Sequence, residues 1–410
     1  MTRHASFFQQ RLLLSLCGSV FLFILLGPTI AKSATYYVSL SGSDANVGTS
    51  TSSPFRTFAK STRSLRPGDT LYIRGGVWTE QLDLMANNTS GTSGSYIKIS
   101  GYPGETVTLR YADSITAGYG PIKARGARGY LIFENLILDG INSTNKTGWQ
   151  IPDGNHHFTL RNLVIKNFKF NGLYIGGGND IQVINCTINN QISLSKSTGE
   201  RWYGIYFHHG SNGLIQGNKI YGNPGGGIHA YPGPISNLII RGNAVYNNNT
   251  LAASTVGGIL VWGTSSSIVS STQIYNNLVY RNGTSGSGPA SGIQIGYYVR
   301  NTKVWNNTVY ANKSYGLQIG YNTTVASTVV QNNISYANGA SNYINKGSST
   351  TYTNNITTDP KFVNASSSNF QLQSTSPAIN KGVYLSSVPI DYKNTPRPRG
   401  TSHDVGGYEQ

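Results

Sequence analysis

Residues 201–234 read RWYGIYFHHGSNGLIQGNKIYGNPGGGIHAYPGP. They hold two successive copies of one pattern, Gly204-Ile205-Tyr206-Phe207-His208 and Gly227-Ile228-His229-Ala230-Tyr231. Successive side chains of a strand point to opposite faces. Ile205 and Phe207 therefore share one face, and Tyr206 and His208 the other. One copy later His229 and Tyr231 take that same outer face. Between the copies lies Asn218-Lys-Ile-Tyr-Gly-Asn223, a second short apolar run closed by asparagine. Such a chain reads as a ribbon of short strands winding around its own core.

Both half-patterns recur outward from this stretch. The asparagine half appears as Asn162-Leu-Val-Ile-Lys-Asn167, Asn243-Ala-Val-Tyr-Asn-Asn248, Asn277-Leu-Val-Tyr-Arg-Asn282, Asn307-Thr-Val-Tyr-Ala-Asn312 and Asn333-Ile-Ser-Tyr-Ala-Asn338. The glycine half appears as Gly172-Leu-Tyr-Ile, Gly258-Ile-Leu-Val, Gly292-Ile-Gln-Ile and Gly316-Leu-Gln-Ile. Leading asparagines from Asn218 to Asn333 are 25, 34, 30 and 26 residues apart. A solenoid coil of about 20–25 residues with loops added at fixed turns gives this variation. Stacked coils bury a column of Ile, Val and Phe and set Asn on Asn at a bend, where amides bond one another and the backbone. Tyr221, Tyr246, Tyr280, Tyr310 and Tyr336 are expected to form one structural column. The extra residues fall at 192–201, 249–256 and 284–291, between the two halves, so they are expected to wall a groove over the glycine-half face.

Composition narrows the function classes. The 410 residues carry a formal charge of +16, which reflects scarce acids: no Asp or Glu occurs between Glu200 and Asp359. A basic surface favours polyanions, and no arginine-rich or nucleic-acid-binding motif is present, so no nucleic acid is expected. Arg3 and Arg11, the apolar run 12–26 and the small residues around Ala31 read as a signal peptide over 1–31. Its removal takes Cys17 and leaves Cys186 alone, excluding an internal disulfide. The expected product is a secreted, extracellular or periplasmic, monomeric protein with no transmembrane span in its mature part.

The ends differ from the repeat. Residues 35–80 read as strand, turn, short helix and strand, with Ser53-Pro54 opening the helix and Pro67-Gly68-Asp69 ending it. A lone amphipathic helix there suits a cap on the first coil. Residues 359–410 read as a C-terminal cap over the last strand, with Arg397-Pro-Arg399 a solvated turn. Residues 81–358 are left for the coils.

The start carries Tyr36-Tyr37-Val38, Gly42-Ser43-Asp44, Pro54-Phe55-Arg56-Thr57 and Pro67-Gly68-Asp69-Thr70. The end carries Asp359-Pro-Lys-Phe362, Ser376-Pro-Ala-Ile379 and Asp404-Val-Gly-Gly-Tyr-Glu409. With the repeats, these resemble the secreted right-handed parallel β-helix superfamily typified by pectate lyases. The resemblance implies an all-β fold, a right-handed parallel β-helix solenoid with a short N-terminal capping helix and a non-repeat C-terminal cap. It does not fix a function, since such folds carry lyases, hydrolases, epimerases and phage spikes.

Alternation places Tyr174, Tyr206, His208, His229, Tyr231, Leu260, Trp262, Gln294 and Gln318 on the outer face. Tyr174, Tyr203, Tyr231, Trp262, Gln294 and Gln318 make an oligosaccharide track, and Lys196 is placed to hold a sugar carboxylate. Tyr206, His208 and His229 are the expected proton carriers, with Arg201 stabilising an enolate. The reading is a lyase acting on an acidic uronate polysaccharide by metal-independent β-elimination. A C5-epimerase on the same substrates and a non-catalytic glycan-binding or cell-surface protein remain as alternatives, and whether the chain is an enzyme stays open. A glycosidase needs a pair of acids across the scissile bond, and only Glu200 lies near the groove. The Asn-Thr-Asp, paired-Asp and Arg-Ile-Lys motifs of polygalacturonases and the Trp-Ile-Asp-His motif of calcium-dependent pectate lyases are missing. No metal or other cofactor is expected; should calcium bind, Asp139 and Asp153 are the candidates. The histidines His156-His157 and His403 are read as structural.

Overall fold

The computed structural model describes residues 33–410 apart from 86–87, 111–119, 142–146, 193–201, 251–256 and 284–289. The signal-peptide reading of 1–31 lies outside those residues, as do Lys196 and Arg201 and most of the three insertions.

The coil beginning at Tyr203 shows how the sequence winds. Tyr203–Phe207 is followed by Gly210–Ser211, Leu214–Gln216 and Lys219–Tyr221, and the next coil opens at Gly226–Ala230. Each strand pairs in parallel with its counterpart one coil on. Three faces result: a sheet of 17 strands, one of ten and one of eight. The chain turns between them at residues with left-handed backbone, here Asn212, Gly217 and Gly222, with φ of 56°, 68° and 66°. Only glycine and, at modest cost, asparagine adopt that conformation readily. At Gly217 a Cβ would meet Oδ1 of Asn185 at 2.2 Å, so a side chain there requires the Asn185 amide to move.

Ile205, Phe207, Ile215, Ile220 and Ile228 are sealed inside, as are Ile240, Val245, Ile259 and Val261 of the following coils. Burial of each such side chain stabilises the fold by roughly 1.5–3 kcal/mol. Beside this core run two amide ladders. Nδ2 of Asn218 donates to Oδ1 of Asn243 at 2.9 Å, and the row continues through Asn277, Asn307, Asn333 and Asn355. A second row links Asn223, Asn248, Asn282, Asn312 and Asn338. Each amide also bonds backbone, as Asn277 does to the Ile240 carbonyl at 2.9 Å. These rows satisfy backbone groups that the bends leave without sheet partners.

Tyr221, Tyr246, Tyr280, Tyr310 and Tyr336 do stand in register. The first three rings stack at 4.9 Å, and Phe370 of the C-terminal hairpin (Phe362–Asn364 with Asn369–Leu372) packs between Tyr280 and Tyr310. The column is therefore a dock for the end of the chain. Cys186 is buried, its thiol pushed up to about 12 by desolvation, which makes it inert at neutral pH.

Two expectations fail at the ends. The helix is Phe58–Ser64 and begins at Thr57, whose side chain caps the Lys60 N–H at 3.1 Å; it does not open at Ser53-Pro54. Asp44 takes the N–H groups of Arg56 and Thr57, while Phe55 bridges to Val38, so the preceding residues are extended. Glu80 accepts from the N–H groups of Phe58 and Ala59, satisfying two first-turn donors. Arg397 is no solvated turn residue: it is buried in an ion pair with Glu409 at 2.7 Å.

Candidate functional site

The eight-strand sheet carries the site. Its strands are Trp149–Ile151, Leu173–Ile175, Tyr203–Phe207, Gly226–Ala230, Ile259–Val261, Ile293–Ile295, Tyr315–Ile319 and Ser341–Asn345, stacked in that order. Register puts Gln150, Tyr174, Tyr206, His229, Leu260, Gln294 and Gln318 in one outer row. A second row follows, because pairing continues past the strand ends. The N–H groups of His208, Tyr231 and Trp262 bond the carbonyls of Ile175, Phe207 and Ala230 at 2.8–2.9 Å.

His229 therefore stands opposite Tyr206, and His208 opposite Tyr231. His208 and His229 are diagonal neighbours one coil apart, with the Tyr206 ring 5.7 Å from one and 5.3 Å from the other. Tyr174 lies 5.3 Å from Tyr206 and 5.8 Å from His208. His229 is 5% exposed, packed by Tyr203 at 4.4 Å and stacked on Tyr231 at 5.2 Å. It belongs to the wall of the site rather than to its open surface.

Two clefts open on this face. One, of about 420 Å³, is lined by Arg125, Gln150, Asp153, Tyr174, His208 and His209 among others. The other, of about 330 Å³, is lined by Tyr203, Tyr206, His229, Tyr231, Trp262 and Thr264. In the first, Nδ1 of His208 meets Nδ1 of His209 at 2.6 Å, and Nε2 of His209 lies 3.2 Å from Oδ1 of Asp153. Burial, and then the neighbouring His209, hold the His208 imidazole below its ordinary pKa, which favours its neutral form. Burial raises the phenols of Tyr174 and Tyr206, which keeps both protonated. The cleft combines the His208 imidazole, the Tyr174 phenol and the Arg125 guanidinium.

Gln294 and Gln318 do not join this cluster. They are buried, with Oε1 of Gln318 accepting from Ser291 at 2.8 Å and Nε2 of Gln294 donating to the Tyr321 hydroxyl. Above them Tyr297 and Tyr321 stack at 5.1 Å and continue the aromatic surface of Trp262. The calcium candidates do not fit an ion site. Asp139 sits in the ten-strand sheet, paired with Arg110 at 3.1 Å, whereas Asp153 follows a strand of the eight-strand sheet. Among the described residues no group of three or more His, Cys, Asp or Glu stands together to hold a metal.

Strict alternation hid His209 by assigning it to the core, but the chain bends at Gly210 (φ 129°) and both rings face outward. Tyr297 and Tyr321 were legible as the repeated Ile-Gly-Tyr after each glutamine. Arg125 carries no signal in its neighbourhood.

A family model described as the Pel9A-like, right-handed β-helix region matches residues 36–355. Among solved structures, the pectate lyase Pel9A superposes with a TM-score of 0.62 at 18% identity, over 93% of this chain and 98% of that one. An alginate lyase from Paenibacillus sp. str. FPU-7 gives 0.53 at 16% identity, over 78% and 99%. A rhamnogalacturonan lyase gives 0.50 at 17%, over 84% and 96%. No curated protein matches the sequence.

Proposed function

Since this chain belongs to the Pel9A-like family of right-handed β-helix proteins, we propose that it is a secreted, polysaccharide-active protein that cleaves an acidic glycan by β-elimination. The observation that carries the reading is the relay from Asp153 through His209 to His208, at a cleft that also holds Arg125 and Tyr174. Asp153 draws the Nε2 proton of His209, which turns the Nδ1 lone pair of His209 toward Nδ1–H of His208. Nε2 of His208 then keeps its lone pair as the base.

In this reading His208 removes the C5 proton of a uronate. Arg125 stabilises the charge that develops on the carboxylate. The C4–O bond breaks, a C4–C5 double bond forms, and the phenol of Tyr174 or Tyr206 gives its proton to the departing oxygen. No step needs a metal. The scarcity of acids around the sheet and the overall +16 charge favour a polyanionic chain. Neighbouring folds that act on pectate, rhamnogalacturonan and alginate agree with this substrate class.

C5 epimerisation uses the same first step but returns the proton to the opposite face of the sugar. The described donors, Tyr174 and Tyr206, stand on the same side as His208, which favours elimination. The test is incubation with polygalacturonate, alginate and glucuronan, following the ultraviolet absorbance of the unsaturated uronate. Absence of that signal on all three, with binding unaffected by His208→Ala, would replace the lyase by a glycan binder. Proton exchange in heavy water without chain cleavage would replace it by an epimerase.

A further inference from the structure

A third cleft, of about 380 Å³, lies where the C-terminal segment crosses the outer face of the 17-strand sheet. That volume falls within the ~300–1,000 Å³ usual for small-ligand sites. Its floor is the sheet row Gln216, Arg241 and Tyr275, in register on successive coils. Its wall is Pro389, Ile390, Asp391 and Tyr392. The wall is fixed: Nδ2 of Asn276 donates to the Ile390 carbonyl at 2.7 Å, and the Tyr392 N–H bonds Gly407 at 2.8 Å.

Two features of this cleft remain unused by the fold. Arg241 donates through Nε to Gln216 at 2.7 Å and through Nη1 to the Tyr275 hydroxyl at 2.8 Å, which orients the guanidinium and leaves Nη2 unbonded among the described residues. Ile390, 42% exposed, lines the cleft together with Tyr392. Asp391, the one acid present, already accepts from the N–H groups of Lys393, Thr395 and Glu409.

We infer that this cleft is a second, non-catalytic binding site for an anionic sugar residue. A carboxylate pairs with the preset guanidinium of Arg241, and the sugar's C–H face lies on Ile390 and Tyr392. The site would hold a polymer on the molecule while the eight-strand sheet works on it. It does not depend on the catalytic reading, because binding here needs no turnover.

The test uses the full chain carrying Arg125→Ala and His208→Ala, titrated by calorimetry with trimers of galacturonate, mannuronate and glucuronate. At least one trimer binds, and adding Arg241→Ala weakens that binding at least tenfold while its methyl ester binds as poorly to both proteins. No trimer binding, or binding indifferent to Arg241→Ala, overturns the inference. Should Arg241→Ala fold poorly, crystals of the His208→Ala protein soaked in the trimer decide, with sugar density between Arg241 and Tyr392 required. Arg241→Ala in the otherwise unaltered protein leaves turnover of short oligosaccharides unchanged, so failure of this site and failure of the lyase reading are read separately.

Discussion

Asp153 and His209 lie two coils apart, yet Oδ1 of one is 3.2 Å from Nε2 of the other. The coil between them supplies Gly177, where a Cβ would fall 2.2 Å from Nε2 of His209 and 2.7 Å from Oδ1 of Asp153. The contact exists because that position has no side chain. Gly177→Ala should therefore separate the pair and cut turnover at least tenfold while barely moving the melting temperature. Parallel measurement of unsaturated product and of thermal unfolding checks this; full activity in the variant would remove the relay from the mechanism.

Replacing the base itself has a larger effect. His208→Ala should lower kcat by about 10²–10⁴-fold, the usual contribution of a positioned general base. Affinity for uncleaved oligosaccharide should change little, because the ring is one of several surfaces lining the cleft. Product formation and equilibrium binding, measured on one preparation, separate the two roles.

The pH profile has a definite sign. Burial and the neighbouring His209 lower the His208 pKa beneath its ordinary 6.5. Activity needs the neutral ring, so the acid limb of kcat/KM should lie below pH 6.5. Asp153 pulls that pKa up and His209 pushes it down. Asp153→Asn should then shift the limb to lower pH, and His209→Gln to higher pH. For stability the native state prefers the neutral ring, so this contribution is complete above pH 6.5 and is lost as pH falls through the lowered value. Limbs moving in the opposite directions would reject the assignment.

Tyr297 and Tyr321 extend the aromatic surface two coils beyond Trp262 without touching His208. Alanine at either should raise KM for polymer by roughly threefold to tenfold, the scale of one aromatic contact. Kinetics on a trimer too short to reach them should stay unchanged. Equal effects on trimer and polymer would point to a packing role.

The ladder predicts a stability effect remote from chemistry. Oδ1 of Asn277 accepts from both N and Nδ2 of Asn243, and its own Nδ2 donates to Ile240 and Asn307. Asn277→Ala strands several buried polar groups at about 1–3 kcal/mol each. Denaturant unfolding should show a loss of at least about 3 kcal/mol, with the His208 pH profile intact.

Periodicity made the winding legible: glycine and asparagine marked the bends, and alternation put Ile205 and Phe207 inside and Tyr206 outside. The outer row from Tyr174 to Gln318 followed from the same rule. Two other features did not. Gly177 matters through an atom it lacks, visible only once Asp153 and His209 face it. Arg397 looked like a surface turn because its partner, Glu409, closes on it only after the end of the chain folds back.

Because Asp153, Gly177 and His209 sit on three consecutive coils, the proposed relay is a compact module within the solenoid. Duplicating or deleting a whole turn beyond Trp262 changes how many sugar units the protein can span, yet leaves every distance in that module as it was. Reach and reactivity are thus independent variables in this architecture, open to separate tuning by inheritance or by engineering.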